Sequence, residues 1–484
     1  MITEDRILVE GGWRAPASRE TVQVISPSTE GVIGQVPDVG PADVDAAVKG
    51  ARRSFDEGVW RRRSVEERTD VLGRALDMLE PQIEEIGKLV TGQMGLPTSM
   101  SGQVLASGIA TGRYFLDVAR NEPVSEVRRG QTLAVVVREP VGVVASIAPW
   151  NGPFNSSITK IFPALAAGCG MVYKPAPETP LDSFPVVEAL LAAGVPAGVL
   201  NLVTGGGDTG RALVAHPGVD KVSFTGSTAT GREIGGECGR SFKRMQLELG
   251  GKSAAIVLDD ADLSISLPGL AGGAFFNTGQ VCASYSRILA PRSRFDEVAE
   301  AMVAAAESFV VGDPFDPATT LGPLVSQRQR ERVEHAIATG IDEGAKVVAG
   351  GGRPDGLEKG WYMQPTVFVG ASNAMTISRE EIFGPVAVLL PYDTVEEAVA
   401  IANDSDYGLH GAVFTTDEER AAQVAAGVRT GSFSVNSYTY NVEAPFGGVK
   451  ASGVGRDTGR EGLTSFYELK TINITPGMEP LYGA

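Results

Sequence analysis

The sequence predicts an α/β protein of two or more domains. Three observations predict it. The chain has 484 residues, more than one ordinary hydrophobic core serves. Residues 142–258 repeat a strand–turn–helix theme, and residues 259–435 give a second α/β set. Hydrophobic residues make up 43% and charged residues 21%, the range of globular proteins, so apolar surface suffices for more than one core.

The elements follow in chain order. Residues 41–119 read as largely helical. PADVDAAVKGARRSF opens with Pro and Asp and then carries apolar residues at helical spacing, and Val65 to Leu79 looks alike. From 123 to 141 the pattern turns to alternation, which predicts an extended ribbon. Strand candidates then stand at 141–148, 171–174, 199–203, 221–224 and 254–258. The first four are short and apolar, and each leads through Gly, Pro or Ser into a helical stretch. That order means βαβ units and a parallel sheet. Ligands bind such sheets beyond the carboxyl ends of the strands. The second set has helix candidates at 294–310 and 326–343 and strand candidates at 287–290, 345–350, 386–392 and 411–414. A last extended segment is expected at 464–475.

Charge and composition exclude several functions. The formal net charge is −17, which repels phosphate backbones and argues against nucleic-acid binding. Cys169, Cys238 and Cys282 form no disulfide framework, and no Cys-x-x-Cys pair occurs. With His216, His335 and His410 scattered, no metal site is expected. MITEDRILVEGG lacks an apolar signal region, and no run of about 18 apolar residues occurs. A cytoplasmic protein with no membrane partner is therefore expected.

Chemistry is sought after each strand. Thr225-Gly226-Ser227 precedes a helix, where free N–H groups and the helix dipole favour a phosphate; a plain Ser N-cap is the alternative. Residues 205–210, GGGDTG, match G-x-G-x-x-G, but no acidic residue ends a strand about 20 positions on. Lys174 ends a strand and points toward the expected crevice, or snorkels. Glu248, beside a Gly-Gly turn in LELGGK, suits a general base if partly buried. Cys282 lies on a loop, NTGQVCASYSR, unlike Cys169 and Cys238, whose small-residue surroundings suit inert core thiols. Asn151 in PWNGPF offers an amide to a developing oxyanion, or simply fills a turn. Ser157-Ile158-Thr159-Lys160 matches S-x-x-K without its partner motifs and is read as chance.

Order and spacing join these signals. PWNGPF at 149–154, KPAPETPL at 174–181, FTGS at 224–227, LELGGK at 247–252, GQVC at 279–282, LGPLVS at 321–326, EEIFGPV at 380–386 and PFGGVKASG at 445–453 together resemble the aldehyde dehydrogenase superfamily. The resemblance implies that Cys282 is a nucleophile that attacks an aldehyde, that Asn151 and the Cys282 N–H hold the oxyanion, and that Glu248 activates water against a thioester. It implies a dinucleotide contacted by Trp150, Lys174, Gly210, Phe224, Gly226, Ser227, Glu381 and Phe383. The implied fold is a Rossmann-like cofactor domain (1–122 and 142–251), an α/β catalytic domain (252–452) and a small β oligomerisation arm with the tail (123–141 and 453–484). A homo-oligomer, dimer or tetramer, follows from the arm.

Two departures from the family pattern bear on specificity. Many NAD-using relatives carry Glu three residues after the Lys; here Pro177 stands there and Glu178 is next. A carboxylate near the ribose 2′ oxygen repels a 2′-phosphate, so a reach by Glu178 gives NAD, the preferred reading, and a failure to reach admits NADP. Gly152 stands where many relatives place something larger. With Phe276, Val281, Ala283, Tyr438 and Tyr440 as the other expected tunnel residues, the resemblance implies a bulky apolar or aromatic aldehyde. A CoA-acylating member typically lacks the hydrolytic Glu, and a non-catalytic member lacks the nucleophile, base or Asn; Glu248, Cys282 and Asn151 are all present.

Overall fold

The computed structural model describes residues 1–482; residues 483 and 484, the end of the expected 453–484 tail, lie outside them. Within the described residues the chain forms two large sheets and two small ones.

The first large sheet runs Gly453–Val454, Arg244–Glu248, Lys221–Thr225, Val143–Ile147, Gly170–Lys174, Leu200–Leu202, Ile7–Val9 and Gly12–Arg14. Its five central strands are parallel, and its outer pairings are antiparallel. Val143–Ile147 comes first in the chain among those five. The next two strands extend the sheet to one side and the following two to the other, so the order reverses beside it. Loops leave in opposite directions at that point and open a crevice. Alternate residues of these strands feed two cores: Val144, Met171 and Tyr173 on one face, Val143, Ala145 and Val172 on the other. Burial on both faces explains their near-continuous apolar runs.

The second large sheet runs Lys346–Ala349, Thr366–Val369, Val386–Tyr392, Arg287–Pro291, Ala254–Val257, Gly411–Phe414 and Ser434–Val435, parallel except at its first pair. It too has a core on each face. The strand expected at 254–258 thus belongs here, not with the series that precedes it. The fifth parallel strand of the first sheet is Arg244–Glu248, RMQLE, which apolar runs alone do not reveal. Gln246 and Glu248 are buried polar residues whose side chains serve the site rather than the core.

The expected ribbon is Ser125–Arg129 paired with Leu133–Pro140, and the last extended segment is Tyr467–Ile474, which pairs with Leu133–Pro140 over eight residues. Glu122, buried at the ribbon's base, takes Arg138 at 3.1 Å and Arg460 at 2.6 Å. The other small sheet, from strands within residues 2–37, completes the N-terminal part.

Candidate active site

A crevice of about 1050 Å³ follows the carboxyl ends of the parallel strands. Lys174 ends one strand and is 3% exposed; its ammonium reaches only the Pro175 carbonyl, at 3.2 Å. Burial pulls this lysine down to about 8, against the opposing pull of Glu178 and Asp38. Such a group gains from a polar ligand. Gly210 lies across from it, in the helix Gly207–Ala215; a side chain there would meet Ile147 and Lys174 only at ordinary contact distance, so its absence widens the crevice. GGGDTG therefore starts a helix: Gly206 is its N-cap and gives its N–H to Asp38 at 3.0 Å.

Lys221–Thr225 leads through Gly226 and Ser227 into the helix Thr228–Ser241. Ser227 caps this helix by accepting the Thr230 N–H at 3.2 Å. The Gly226 N–H is not free for a phosphate: it donates to the Glu248 carbonyl at 3.0 Å. Donation at this end falls to the N–H groups from Ser227 onward. Phe224 lines the crevice, and any side chain at Gly226 would collide with its ring.

The other end of the crevice holds the thiol. Cys282 follows a loop with three consecutive left-handed residues, Asn277 (φ 51°), Thr278 (φ 57°) and Gly279 (φ 67°). Two of these are not glycine, a strain that persists only where the surroundings impose it. Asn277 supplies part of that: its amide donates to the Asn151 carbonyl at 3.0 Å. Asn151 in turn donates to the Gln280 carbonyl at 2.9 Å. Gly279 lies so close to the Gly384 carbonyl, and Gly251 to the Cys282 carbonyl, that neither position admits a side chain. Cys282 is partly exposed to the crevice, and Cys169 and Cys238 are fully buried. Burial, then the Glu381 and Glu248 carboxylates, push the Cys282 thiol up to about 12.

Glu248 ends its strand 3% exposed, and neither carboxylate oxygen has a hydrogen-bond partner. Burial first, then Asp457, raise its pKa well above the ordinary range, with Lys160 and Arg456 opposing. Lys160 is the lysine of the S-x-x-K match. It is buried, donates to Ser223 at 3.2 Å and lies 3.7 Å from Asp457, whose other oxygen accepts from Gln246. A buried carboxyl with open lone pairs and charged groups behind it is equipped to take and return a proton.

Glu381 accepts the Gly251 N–H at 3.1 Å, and burial raises its carboxyl to about 7. Phe383, at φ 59°, packs edge-on against Trp150 with ring centroids 5.2 Å apart. Gln329 and Arg332 hold this segment by donating to the carbonyls of Ile382, Phe383 and Glu381. Glu178 lines the crevice and pairs with Arg328 at 3.4 Å.

The crevice thus brings together every expected catalytic and cofactor residue: Asn151, Glu248 and Cys282 at one end, and Trp150, Lys174, Glu178, Gly210, Phe224, Gly226, Ser227, Glu381 and Phe383 along it. Gly152, Phe276, Val281, Ala283, Tyr438 and Tyr440 do not line it. Ala283 is 1% exposed and fills space within the protein. Tyr438 and Tyr440 belong to an aromatic run with Tyr285, His410 and Phe446, at centroid separations from 4.9 to 5.6 Å; Tyr285, Tyr438, Tyr440 and Phe446 meet edge-on in turn, and His410 stacks on Tyr285. Asn277, Asp457, Gln329 and Arg332 carry no mark in the sequence, and Lys160 is read there only as part of a chance match, because each acts through a partner more than 50 positions away or a carbonyl no motif marks.

Fold and site together define an oxidoreductase. The aldehyde dehydrogenase family model matches residues 13–472. A geranial dehydrogenase of Castellaniella defragrans is 43% identical over 97% of this chain and 99% of its own length. A 3-succinoylsemialdehyde-pyridine dehydrogenase of a Pseudomonas species is 42% identical over 96% and 97%. The crystal structure of a Mycobacterium tuberculosis aldehyde dehydrogenase complexed with NAD+ superposes with a TM-score of 0.97 at 44% identity, covering 98% of this chain and 99% of that one. The chain belongs to the aldehyde dehydrogenase family. No helix among the described residues is long and apolar enough to cross a membrane.

Proposed function

We propose that this protein oxidises a bulky apolar or aromatic aldehyde to its carboxylic acid, with NAD preferred over NADP as hydride acceptor. The observation that carries this reading is the meeting, at one end of a dinucleotide-sized crevice, of a partly exposed thiol and a buried carboxylate with both oxygens open. The crevice suits a dinucleotide chemically: Lys174 and Glu178 at the adenosine ribose, the helix start after Ser227 at the pyrophosphate, Glu381 and Phe383 at the nicotinamide ribose. When bound, the nicotinamide end supplies the hydride acceptor.

The chain's own groups do the rest. The Cys282 sulfur bonds to the aldehyde carbon, and the carbonyl oxygen takes the electron pair as an oxyanion. The Asn151 amide, which gives one N–H to the Gln280 carbonyl and has a second to offer, and the Cys282 N–H stabilise that charge. Loss of hydride leaves a thioester on Cys282. Glu248 takes a proton from water, the resulting hydroxide adds to the thioester carbon, and the acid leaves as the thiol reforms. Because burial and the nearby carboxylates push the thiol up, Glu248 also receives the Cys282 proton at the start and passes it to solvent before it takes the proton of water.

Breadth in the substrate is supported by Gly152, beside which the space for a side chain is open, and by the tyrosine run. The names of the geranial and pyridine-semialdehyde relatives fit it too. Three free cysteines, one of them reactive in this reading, suit a reducing cytoplasm. We read 1–122 with 142–251 as the cofactor domain, 252–452 as the catalytic domain, and the ribbon with the tail as the contact of a homo-oligomer. NADH and NADPH formation, followed by absorbance with aliphatic and aromatic aldehydes, tests the reading. Cys282→Ala abolishes reduction if it is right. Reduction that survives in Cys282→Ala overturns the nucleophile, and acetaldehyde as the best substrate overturns the breadth.

A further inference from the structure

Lys252 takes no part in the chemistry above. It is 2% exposed, and its ammonium has no hydrogen-bond partner. It lines a small cavity of about 10 Å³ together with Ser253, whose hydroxyl is also without a partner, and with Arg287. Tyr407, His410 and Thr430 form other parts of the wall. No carboxylate lines this cavity, although the chain carries 59 acidic residues against 42 basic ones.

The two cations there lack a direct counter-charge. Arg287 is spent on neutral acceptors: its guanidinium donates to the carbonyls of Lys252, Ile401 and Ala402 and to the Asn373 amide oxygen, at 2.9 to 3.1 Å. Glu381 and Glu380 act on Lys252 only as secondary influences, behind burial and the repulsion of Arg287. His410, pulled down to about 4 by burial, adds no charge at neutral pH. A lysine and a guanidinium that line one buried cavity repel each other: burial, then Arg287, pull Lys252 down to about 7, and an anion beside it restores its ammonium form. A cavity this size takes one particle about as large as a water molecule.

We propose that this cavity is a site for a single monovalent inorganic anion of about the size of chloride, held by Lys252 Nζ and Ser253 Oγ. The anion braces the turn between the two sheets. The Gly251 N–H, one residue before, holds Glu381, the Gly251 Cα abuts the Cys282 carbonyl, and the Lys252 carbonyl is fixed by Arg287.

Crystals of the intact protein grown in sodium bromide test the site through the anomalous signal of bromide. Thermal unfolding in sodium chloride against sodium gluconate, at equal ionic strength, tests its effect. The expected result is a bromide peak within hydrogen-bond reach of Lys252 Nζ and Ser253 Oγ. With it, Tm rises on the order of 1–2 °C for each tenfold of chloride above the dissociation constant, as linkage requires. Lys252→Met loses that response and Ser253→Ala weakens it. Should Lys252→Met fail to fold, the bromide crystal and Ser253→Ala still decide. A peak without a chloride-specific thermal response marks an adventitious ion only and overturns the proposal, as does a cavity that holds water in bromide crystals.

Discussion

On the crevice side of Cys282, five wall residues stand on a strand end or near the start of the helix that follows it. Lys174, Thr225 and Glu248 end strands; Gly210 and Ser227 open helices. On the aromatic side, Tyr438, Tyr440 and Phe446 stand on irregular backbone after Ser434–Val435. The first wall is fixed by sheet topology, and a substitution there disturbs the geometry of reaction. The second is fixed by ring-on-ring contacts, and a substitution there changes which molecule fits. The contrast predicts losses of turnover on one side and changes of preference on the other.

The largest expected effect is at Glu248. Glu248→Gln preserves shape and removes the proton acceptor, so steady-state acid formation falls about 10²–10⁴-fold. Rapid-quench mass spectrometry locates the block: an acyl group on Cys282 if hydrolysis is the step lost, and none if transfer of the Cys282 proton is lost first. Unchanged acid formation in a folded variant breaks the assignment of this wall to catalysis.

Next comes Asn277, which ties the strained loop to Asn151. Asn277→Ala removes the donor and leaves a left-handed backbone that Ala tolerates poorly. Asn277→Gly removes the donor and keeps the backbone relaxed. Misplacement of a reacting group by about 1 Å costs on the order of 10²-fold. If both variants lose that much kcat, the hydrogen bond sets the geometry. If only Asn277→Ala does, the backbone conformation sets it.

A smaller effect is expected across the thiol. Tyr440, 41% exposed, meets Tyr438 and Phe446 edge-on. Tyr440→Ala removes a ring on which an aromatic aldehyde would pack in the proposed reading, a contact of roughly 0.5–1.5 kcal/mol, so KM for an aromatic aldehyde rises by about tenfold or less while kcat with a short aldehyde holds. A matching loss of kcat for both substrates would erase the distinction between the two walls.

The same contrast explains what the sequence reveals. Lys174, Ser227, Glu248 and Cys282 were legible because strand ends, turn glycines and helix caps mark them locally, and the order of motifs did the rest. The strand Arg244–Glu248 was not, because its Arg, Gln and Glu break the apolar run that identifies a buried strand. Ala283, a tunnel residue only by the family resemblance, is 1% exposed and has no local signal of its own in the sequence. Lys160 was dismissed with its S-x-x-K match; the pattern was chance as a serine-enzyme signature, but the lysine reaches Asp457 almost 300 positions later. Pairings of that range leave no mark in a single sequence.

The smallest effect is the most specific. Cys282 is pushed up to about 12 by burial and by the charges of Glu381 and Glu248. Without cofactor, alkylation by iodoacetamide is therefore slow near neutrality and accelerates with pH as thiolate forms. Glu248 is itself raised well above the usual range. Below its pKa it is neutral and exerts no repulsion, so wild type and Glu248→Gln alkylate alike. Above its pKa the wild-type carboxylate opposes the thiolate and the variant does not, so Glu248→Gln alkylates faster. A variant that alkylates faster yet turns over more slowly separates the charge of Glu248, which suppresses the resting thiolate, from its proton affinity, which drives hydrolysis. A variant slower in both would mean that Glu248 keeps Cys282 ionised at rest, and the buried end of the crevice would then tolerate charge better than its burial implies.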